Sequence, residues 1–423
     1  MRVLIVTGMS IPITDLTTGL KEHKTSGAWV GINASRLALD NRISKIGIIS
    51  VTPKADNGYE AEGKFIIYNI KAYIMKNRIS NKLDTQLIDI IKDFGPDIID
   101  VQGIEFPMFT YFALRSFSCP TVYTLQGFPS AINRALAGSV DYYEKKKLNS
   151  FVSLLTGRSL SLTCYRLRKR EIFSEQIISN GKFFIGHTDW DQSMVESVNR
   201  NAYYYRSNRS LRDEFYKSKK WSLSNCNLHS VFTIQGFTPA KGLHIILKAS
   251  ILLIQKYKDF KLYIPGISWD DIIQSRNPYF RILWDMIVCN NMKSHIEFLG
   301  KLNASQIIEY QRKSHVFVSP SMQENSPNSL AEAQYLGVPA VVSAVGGSLD
   351  YVQDRVTGFL YDSIDHVMCA NRISLLFDNN AVSNNLSRNE IIIAEKRHDI
   401  SVNNEELINA YKSIIGVYKG DLQ

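Results

Sequence analysis

At 423 residues the chain is too long for one ordinary hydrophobic core, and two domains are expected. Its 45% hydrophobic and 21% charged residues are those of a globular protein, and no stretch approaches the ~20 apolar residues of a membrane span. A formal net charge of +9 favours polyanionic partners: a nucleotide, an anionic lipid surface or nucleic acid.

The N-terminal MRVLIVTG is too short and too soon polar for a signal peptide and reads as a first strand over Arg2–Thr7. A polar loop follows over Gly8–Lys24, and Thr25-Ser26-Gly27-Ala28 leads into a helical pattern through Val30, Ala34 and Leu37. Gly27 would let backbone amides approach an anion at that helix start, although a plain turn reads equally well. Strands are expected near Ile46–Val51 and Phe65–Ile70, and a helix over Leu83–Phe94 ended by Gly95-Pro96. Two further strands, Asp97–Gln102 and Pro120–Leu125, run into Gln102-Gly103 and Gln126-Gly127, where glutamine can bond a polar ligand without titrating.

Asp141–Arg170 is different: Lys145-Lys146-Lys147, then apolar Phe151, Val152, Leu154 and Leu155, then basic Arg166, Arg168, Lys169 and Arg170. Basic residues flanking an apolar helical segment suit contact with an anionic membrane surface; a solvated helix packed on its own domain is the alternative. Phe183–Gly186 reads as a strand, and the aromatic, polar stretch Asn201–Ser224 as the interdomain connection. A new half opens with a strand over His229–Ile234. A loop then runs from Gln235-Gly236 to Lys241-Gly242, followed by a helix through Leu243, Ile246, Leu247 and Leu253. A lysine at a strand–loop–helix junction is well placed to neutralise a phosphate. Strands at Phe260–Pro265 and His295–Leu299 and a helix over Ser305–Ser314 come next, and a last helix spans Asn404–Tyr418.

Ser319–Asp362 carries the most chemistry. A strand over His315–Val318 precedes a polar loop. Ser326-Pro327 reads as a capped helix start, Gly337 as its stop, and Ala340–Val342 as a strand ending at Gly346-Gly347. Glu324 in the loop and Glu332 in the helix are eight positions apart. The helix N-terminus between them offers free amides and a partial positive charge to a phosphate. The two carboxylates could then hold hydroxyls on either side of it, a sugar–phosphate–ribose layout. Solvated surface charges are the alternative; the glycines, the cap and the strand context favour the layout.

Two α/β halves with an E-x7-E pair ahead of a Gly-Gly turn resemble the retaining nucleotide-sugar glycosyltransferases of family 4 (glycosyl transferases group 1). Asp97–Gly103 resembles that family's "PDIIHxHG" strand, Thr124–Gly127 its "TxHG", Gly186–Asp191 a "GRTxWD" element, and Gly236–Gly242 the "GR…KG" phosphate loop. The resemblance implies the GT-B fold: an α/β protein with two Rossmann-like doubly wound domains facing each other across a cleft. Residues 1–215 would form an acceptor domain, joined by a C-terminal helix of about 400–423, and residues 216–399 the donor domain.

It further implies that Glu324 holds the donor-sugar hydroxyls, Glu332 the ribose hydroxyls, and Lys241 the diphosphate. Gly236 and the segment Asn325, Ser326, Asn328 and Ser329 would cradle the phosphate, Gly27 would lie close to it from the other domain, and Gln126 would face the reacting sugar. Departures are Phe237 where the family usually has arginine, Gln126 where histidine is usual, Ser26-Gly27 for the first Gly-Gly, and Asp350 for a glutamate.

The implied activity is metal-independent, retaining transfer from a nucleoside-diphosphate sugar, such as a UDP-sugar, to a glycan or lipid-linked acceptor in bacterial surface polysaccharide synthesis. The donor is a substrate, and no cofactor is expected. A non-catalytic GT-B scaffold subunit is the alternative. Five scattered cysteines without CxxC spacing argue against a structural zinc and for reduced thiols in the cytoplasm, possible contact with the inner membrane face included. No motif for nucleic-acid recognition accompanies the positive charge.

Overall fold

The computed structural model describes residues 1–17, 28–53, 57–76, 79–234 and 236–421. They form two compact units, Met1–Pro129 with Lys169–Ser210 and His398–Gln423, and Ser130–Arg168 with Leu211–Arg397.

Among the described residues the first unit holds eight strands: β1 (Arg2–Thr7), β2 (Lys45–Thr52), β3 (Gly58–Glu62), β4 (Phe65–Lys71), β5 (Ile98–Gln102), β6 (Thr121–Thr124), β7 (Phe183–Gly186) and β8 (Tyr203–Arg206). They lie in the order β3-β4-β2-β1-β5-β6-β7-β8. All neighbours are parallel except β3, which pairs antiparallel with β4. β1 explains itself: successive residues Val3, Leu4, Ile5 and Val6 are all buried, so both faces are covered, as a parallel sheet flanked by helices requires. Val3 and Ile5 share a core with Val30, Ala34 and Leu37 of the helix Ala28–Leu39 and with Ile408, Tyr411 and Ile414 of the last helix, Ile400–Asp421. The helix Asn81–Phe94 is capped by Ser80, whose side chain accepts from Leu83 N, and closes on Gly95 in the left-handed region at φ 55°.

The second unit carries, among the described residues, six parallel strands, β9 (Asn227–Thr233), β10 (Lys261–Ile264), β11 (Ile296–Phe298), β12 (Ser314–Ser319), β13 (Ala340–Ser343) and β14 (Phe359–Tyr361). Their order is β11-β10-β9-β12-β13-β14. Side-chain alternation divides its interior in two. Val231, Val316, Val318 and Val341 point to one core, and Phe232, Phe317, Ala340 and Val342 to the other. The chain leaves β9 toward β10 and returns on the opposite side as β12, so the sheet reverses direction of growth between β9 and β12. A crevice opens beyond the carboxyl ends of two such strands.

Three differences from the sequence reading have physical reasons. β3 and β8 were not expected, because the first is exposed along its whole length and the second (YYYR) is a half-exposed edge strand without an apolar run. β8 also falls inside the stretch read as interdomain connection, and the units change hands later, between Ser210 and Leu211. Ser130–Arg168, read as part of the first domain, groups with the second unit because Leu136, Val140, Leu148, Leu160 and Leu167 join the core of Val231, Leu243 and Ile246.

Candidate functional site

The carboxyl ends of β9 and β12 bring Lys241 and Glu324 together. After β9 the chain turns through a short 3-10 segment, Pro239–Lys241, into the helix Leu243–Lys256. Gly242 between them has φ 68°, and a Cβ there would lie 1.7 Å from the Pro320 carbonyl oxygen. Glycine therefore allows the two loops to touch, and Met322 N donates to Ala240 O at 2.8 Å. In that contact Lys241 Nζ lies 2.6 Å from Glu324 Oε1, and Ser321 Oγ donates to the same oxygen at 2.6 Å. The lysine side chain is 41% exposed and the glutamate 15%, so the pair is a half-open cation–carboxylate contact rather than a sealed one.

The Gly346-Gly347 turn after β13 holds the Glu324 loop from the other side. Gly347 N donates to Glu324 O at 3.1 Å, and Gln323 Nε2 donates to the same oxygen at 3.0 Å. Gly346 has φ 47°, and a Cβ there would meet that oxygen at 2.2 Å. Gly236 is close-packed too: a Cβ would come 2.8 Å from Leu243 Cβ.

The helix bearing Glu332 starts one residue later than expected, at Asn328, with Pro327 as its N-cap and no capping side chain. This corrects the reading of Ser326 as the cap and Pro327 as the first helical residue. The Ser326 hydroxyl pairs instead with Tyr351 OH at 2.8 Å. The helix's first amides therefore have no side-chain acceptor from Pro327, which suits an anion. Asn325 is buried, Ser329 half-buried and Asn328 exposed at this end. Gly337, at φ 79°, ends the helix as expected.

Glu332 is 8% exposed in the middle of the helix. Burial raises its carboxyl pKa, and the Arg212 guanidinium beside it pulls the other way. Arg212 gives Nε at 2.9 Å and Nη2 at 2.8 Å, both to Oε1. Arg212 was not singled out from the sequence, since it lies in the polar stretch taken for a linker. Phe237 is exposed, its ring 6.1 Å from that of Phe280 and its carbonyl accepting from Asn277 Nδ2 at 3.2 Å. Asp350 offers its backbone carbonyl to Arg397.

Gln126 lies in the first unit, half-buried after β6, and Gly27 falls outside the described residues. Near Gln126 the first unit holds a group that the sequence reading missed. The Glu105 carboxyl follows β5, and burial lifts its pKa to about 7 against backbone amides, that of Gly127 included, and the charge of Arg209. Only its position after a strand-ending glycine could have marked it. The motif Gly186–Asp191 works as a structural latch: Thr188 caps the helix Asp189–Glu196, and the buried Asp191 carboxylate accepts from His187 N at 3.0 Å and from Tyr204 OH. Arg209 Nε donates to His187 Nε2 at 2.9 Å, so the ring proton sits on Nδ1 and points at Ser207 O, 2.6 Å away. Burial and Arg209 lower the His187 pKa to about 3. Among the described residues no three His, Cys, Asp or Glu side chains gather as a metal-ligand set, and all five cysteines are unpaired.

The fold is that of GT-B glycosyltransferases. Sucrose-phosphate synthase from Thermosynechococcus elongatus superposes with a TM-score of 0.70 at 14% identity, over 98% of this chain and 99% of that one. HepE of Anabaena, in complex with UDP and glucose, superposes with a TM-score of 0.66 at 16% identity, over 98% of this chain and 100% of that one. Residues 218–393, which hold β9–β14 and the Lys241, Glu324 and Glu332 side chains, match the family described as glycosyl transferases group 1. The capsular polysaccharide biosynthesis glycosyltransferase CapM of Staphylococcus aureus is 23% identical over 188 residues, 43% of this chain and 45% of that protein. The chain thus spans about half the length of the curated relatives it matches.

Proposed function

We propose that the chain is a glycosyltransferase that moves a sugar from a nucleoside-diphosphate sugar to a glycan or lipid-linked acceptor, with retention of anomeric configuration, in the synthesis of a bacterial surface polysaccharide. The observation that carries this reading is the cluster beyond β9 and β12. Lys241 and Glu324 stand in contact, an uncapped helix N-terminus adjoins them, and Glu332 lies farther down that helix. A diphosphate on the open amides would meet the lysine, with a carboxylate on each side for the hydroxyls of sugar and ribose. The UDP and glucose held by HepE support a UDP-sugar as donor, and the capsular role of CapM supports the pathway class.

The reaction needs charge stabilisation on the departing phosphate. As the glycosidic C–O bond breaks, negative charge grows on the phosphate oxygens, where Lys241 and preorganised amides act. The acceptor hydroxyl attacks from the same face, and its proton passes to the leaving diphosphate, so neither a carboxylate nucleophile nor a metal is required. Gln126 would contribute by hydrogen bonding alone. The test is calorimetry with UDP-sugars. Glu332→Ala should weaken donor affinity at least ~10-fold, about the worth of one hydrogen bond to a charged group; unchanged affinity would remove the assignment.

A second reading is favoured by one observation: where a second cation is usual, Phe237 presents an exposed ring. A scaffold subunit with this fold would bind the nucleotide sugar and neither hydrolyse it nor transfer it to lipid or glycan extracts. Turnover in either assay excludes that role, and turnover persisting in EDTA supports the metal-free mechanism.

A further inference from the structure

The short helix Phe151–Leu155 is inside out. Its serine is buried, and Ser153 Oγ donates to Leu148 O at 2.8 Å and to Ser150 O at 2.7 Å. The four apolar residues face solvent: Phe151 is 74% exposed, Leu155 72%, Val152 65% and Leu154 51%. A helix in water turns its apolar side inward, and this one turns inward its only polar side chain. The arrangement is held firmly. Leu148 and Leu160, on either side of the helix in sequence, are buried in the core of the second unit, Ser150 caps the helix, and Asn149 Oδ1 accepts from Ser161 N at 2.8 Å.

The chain around this helix is strongly basic, and among the described residues a single carboxylate faces it: Lys147 Nζ meets Asp285 Oδ2, on the helix Pro278–Cys289, at 3.1 Å. Between Lys145 and Arg168 the chain has six Lys and Arg (Lys145, Lys146, Lys147, Arg158, Arg166 and Arg168) and no Asp or Glu. All six are exposed. Arg166 Nη1 reaches back to Gly157 O at 2.9 Å, which ties the basic helix to the end of the apolar one. The nearest acids on the amino-terminal side, Asp141 and Glu144, are closed in a capping box, and both face Lys248, at 3.7 Å and 2.9 Å.

We propose that this surface is a membrane wedge: Phe151, Val152, Leu154 and Leu155 insert among the acyl chains of an anionic bilayer, and Lys145, Lys146, Arg158, Arg166 and Arg168 settle on its phosphate headgroups. Charge complementarity singles out this occupant. A protein partner would cover the apolar helix as well, but exposed cations that outnumber the one facing carboxylate, Asp285, five to one are matched by a continuous sheet of phosphates. The wedge belongs to the unit that holds Lys241 and Glu324, so the bilayer anchors the donor-site unit itself. The inference goes beyond the proposed reaction and does not depend on it.

The full chain is tested by flotation with vesicles of phosphatidylcholine alone and of an equimolar mixture with phosphatidylglycerol. It should float with the anionic vesicles only, and less as salt rises. Phe151→Ser with Leu155→Ser should lower the bound fraction at least ~10-fold, through lost apolar burial, with the melting temperature unchanged because both side chains are exposed. Lys145→Gln with Lys146→Gln should weaken binding at low salt and flatten its salt dependence. Flotation of the serine variant equal to the unsubstituted chain, equal flotation on neutral vesicles, or a dimer in sedimentation that the serine variant abolishes would each overturn the proposal. Donor affinity measured on the same variants reads the proposed function separately.

Discussion

Arg212 and Glu332 define the residue scale. Both guanidinium contacts fall on Oε1 of a carboxylate buried in a helix, so the arginine offsets the cost of burying that charge. Arg212→Ala should leave Glu332 buried and unpaired and cost about 3 kcal/mol in chemical denaturation. Arg212→Lys should recover only part of this, since an ammonium lacks the planar fork. A loss under ~0.5 kcal/mol for the alanine variant would show that the pair adds no stability. Glu324, Glu332 and Lys241 were singled out in the sequence by the E-x7-E spacing and the flanking glycines. Their partners were not. Arg212 and Ser321 reach the glutamates through the fold, and nothing in their spacing marks them. Lys241 was read as a phosphate ligand, and its contact with Glu324 across 83 positions could not be read from either residue.

Elements meet where glycines permit it. Gly242 and Gly63 have nearly the same φ, 68° and 60°, but a Cβ at Gly242 would run into Pro320 whereas one at Gly63 meets nothing within 4 Å. Gly63→Ala should cost about 1 kcal/mol from the backbone alone. Gly242→Ala should cost more than ~2 kcal/mol and weaken donor binding, because the two site loops must part; equal losses in thermal melts would refute the close approach. A second element-level test concerns Glu390, whose buried carboxyl accepts from Ala340 N at 3.0 Å and so ties the helix Asn380–Arg397 to β13. Burial raises its pKa well above the ordinary value. The folded state therefore holds its proton more tightly than the unfolded chain. The stabilising contribution is complete below about pH 4, the unfolded value, and is lost as pH climbs toward the folded one. Glu390→Gln should gain melting temperature relative to the parent progressively from pH 5 to pH 8, whereas a gain independent of pH would mean that no proton is linked there. Strands with continuous apolar runs, such as β1 and β12, were legible; β3 and β8 sit at sheet edges, where β3 is exposed along its whole length and β8 along half, and the periodicity signal fades.

For the molecule as a whole, chain length called for two domains, and the residue pattern put their connection in Asn201–Ser224 with a boundary at 215–216, whereas the units change between Ser210 and Leu211. It put Ser130–Arg168 in the first domain, because the leucines that tie this segment to the second unit look in sequence like those of any amphipathic helix. If the donor site is as proposed, a nucleotide sugar at a hundred times its dissociation constant should stabilise the fold by about 2.7 kcal/mol. A thermal-shift screen across nucleotide sugars reads this as a raised melting temperature. The unit carrying Lys241 should respond most, and limited proteolysis with and without ligand locates that protection.

Asp100, on β5, accepts from Thr124 Oγ1 at 2.7 Å and from Tyr411 OH at 2.6 Å, and Tyr411 lies on the last helix. That bond joins positions 311 residues apart and carries a consequence for the order of synthesis. On a ribosome the second unit has all its residues by Arg397, whereas the first still awaits His398–Gln423. Begun before the second unit and completed after it, the amino-terminal sheet waits through that unit's translation with a buried-site carboxyl open to water, until the helix bearing Tyr411 emerges.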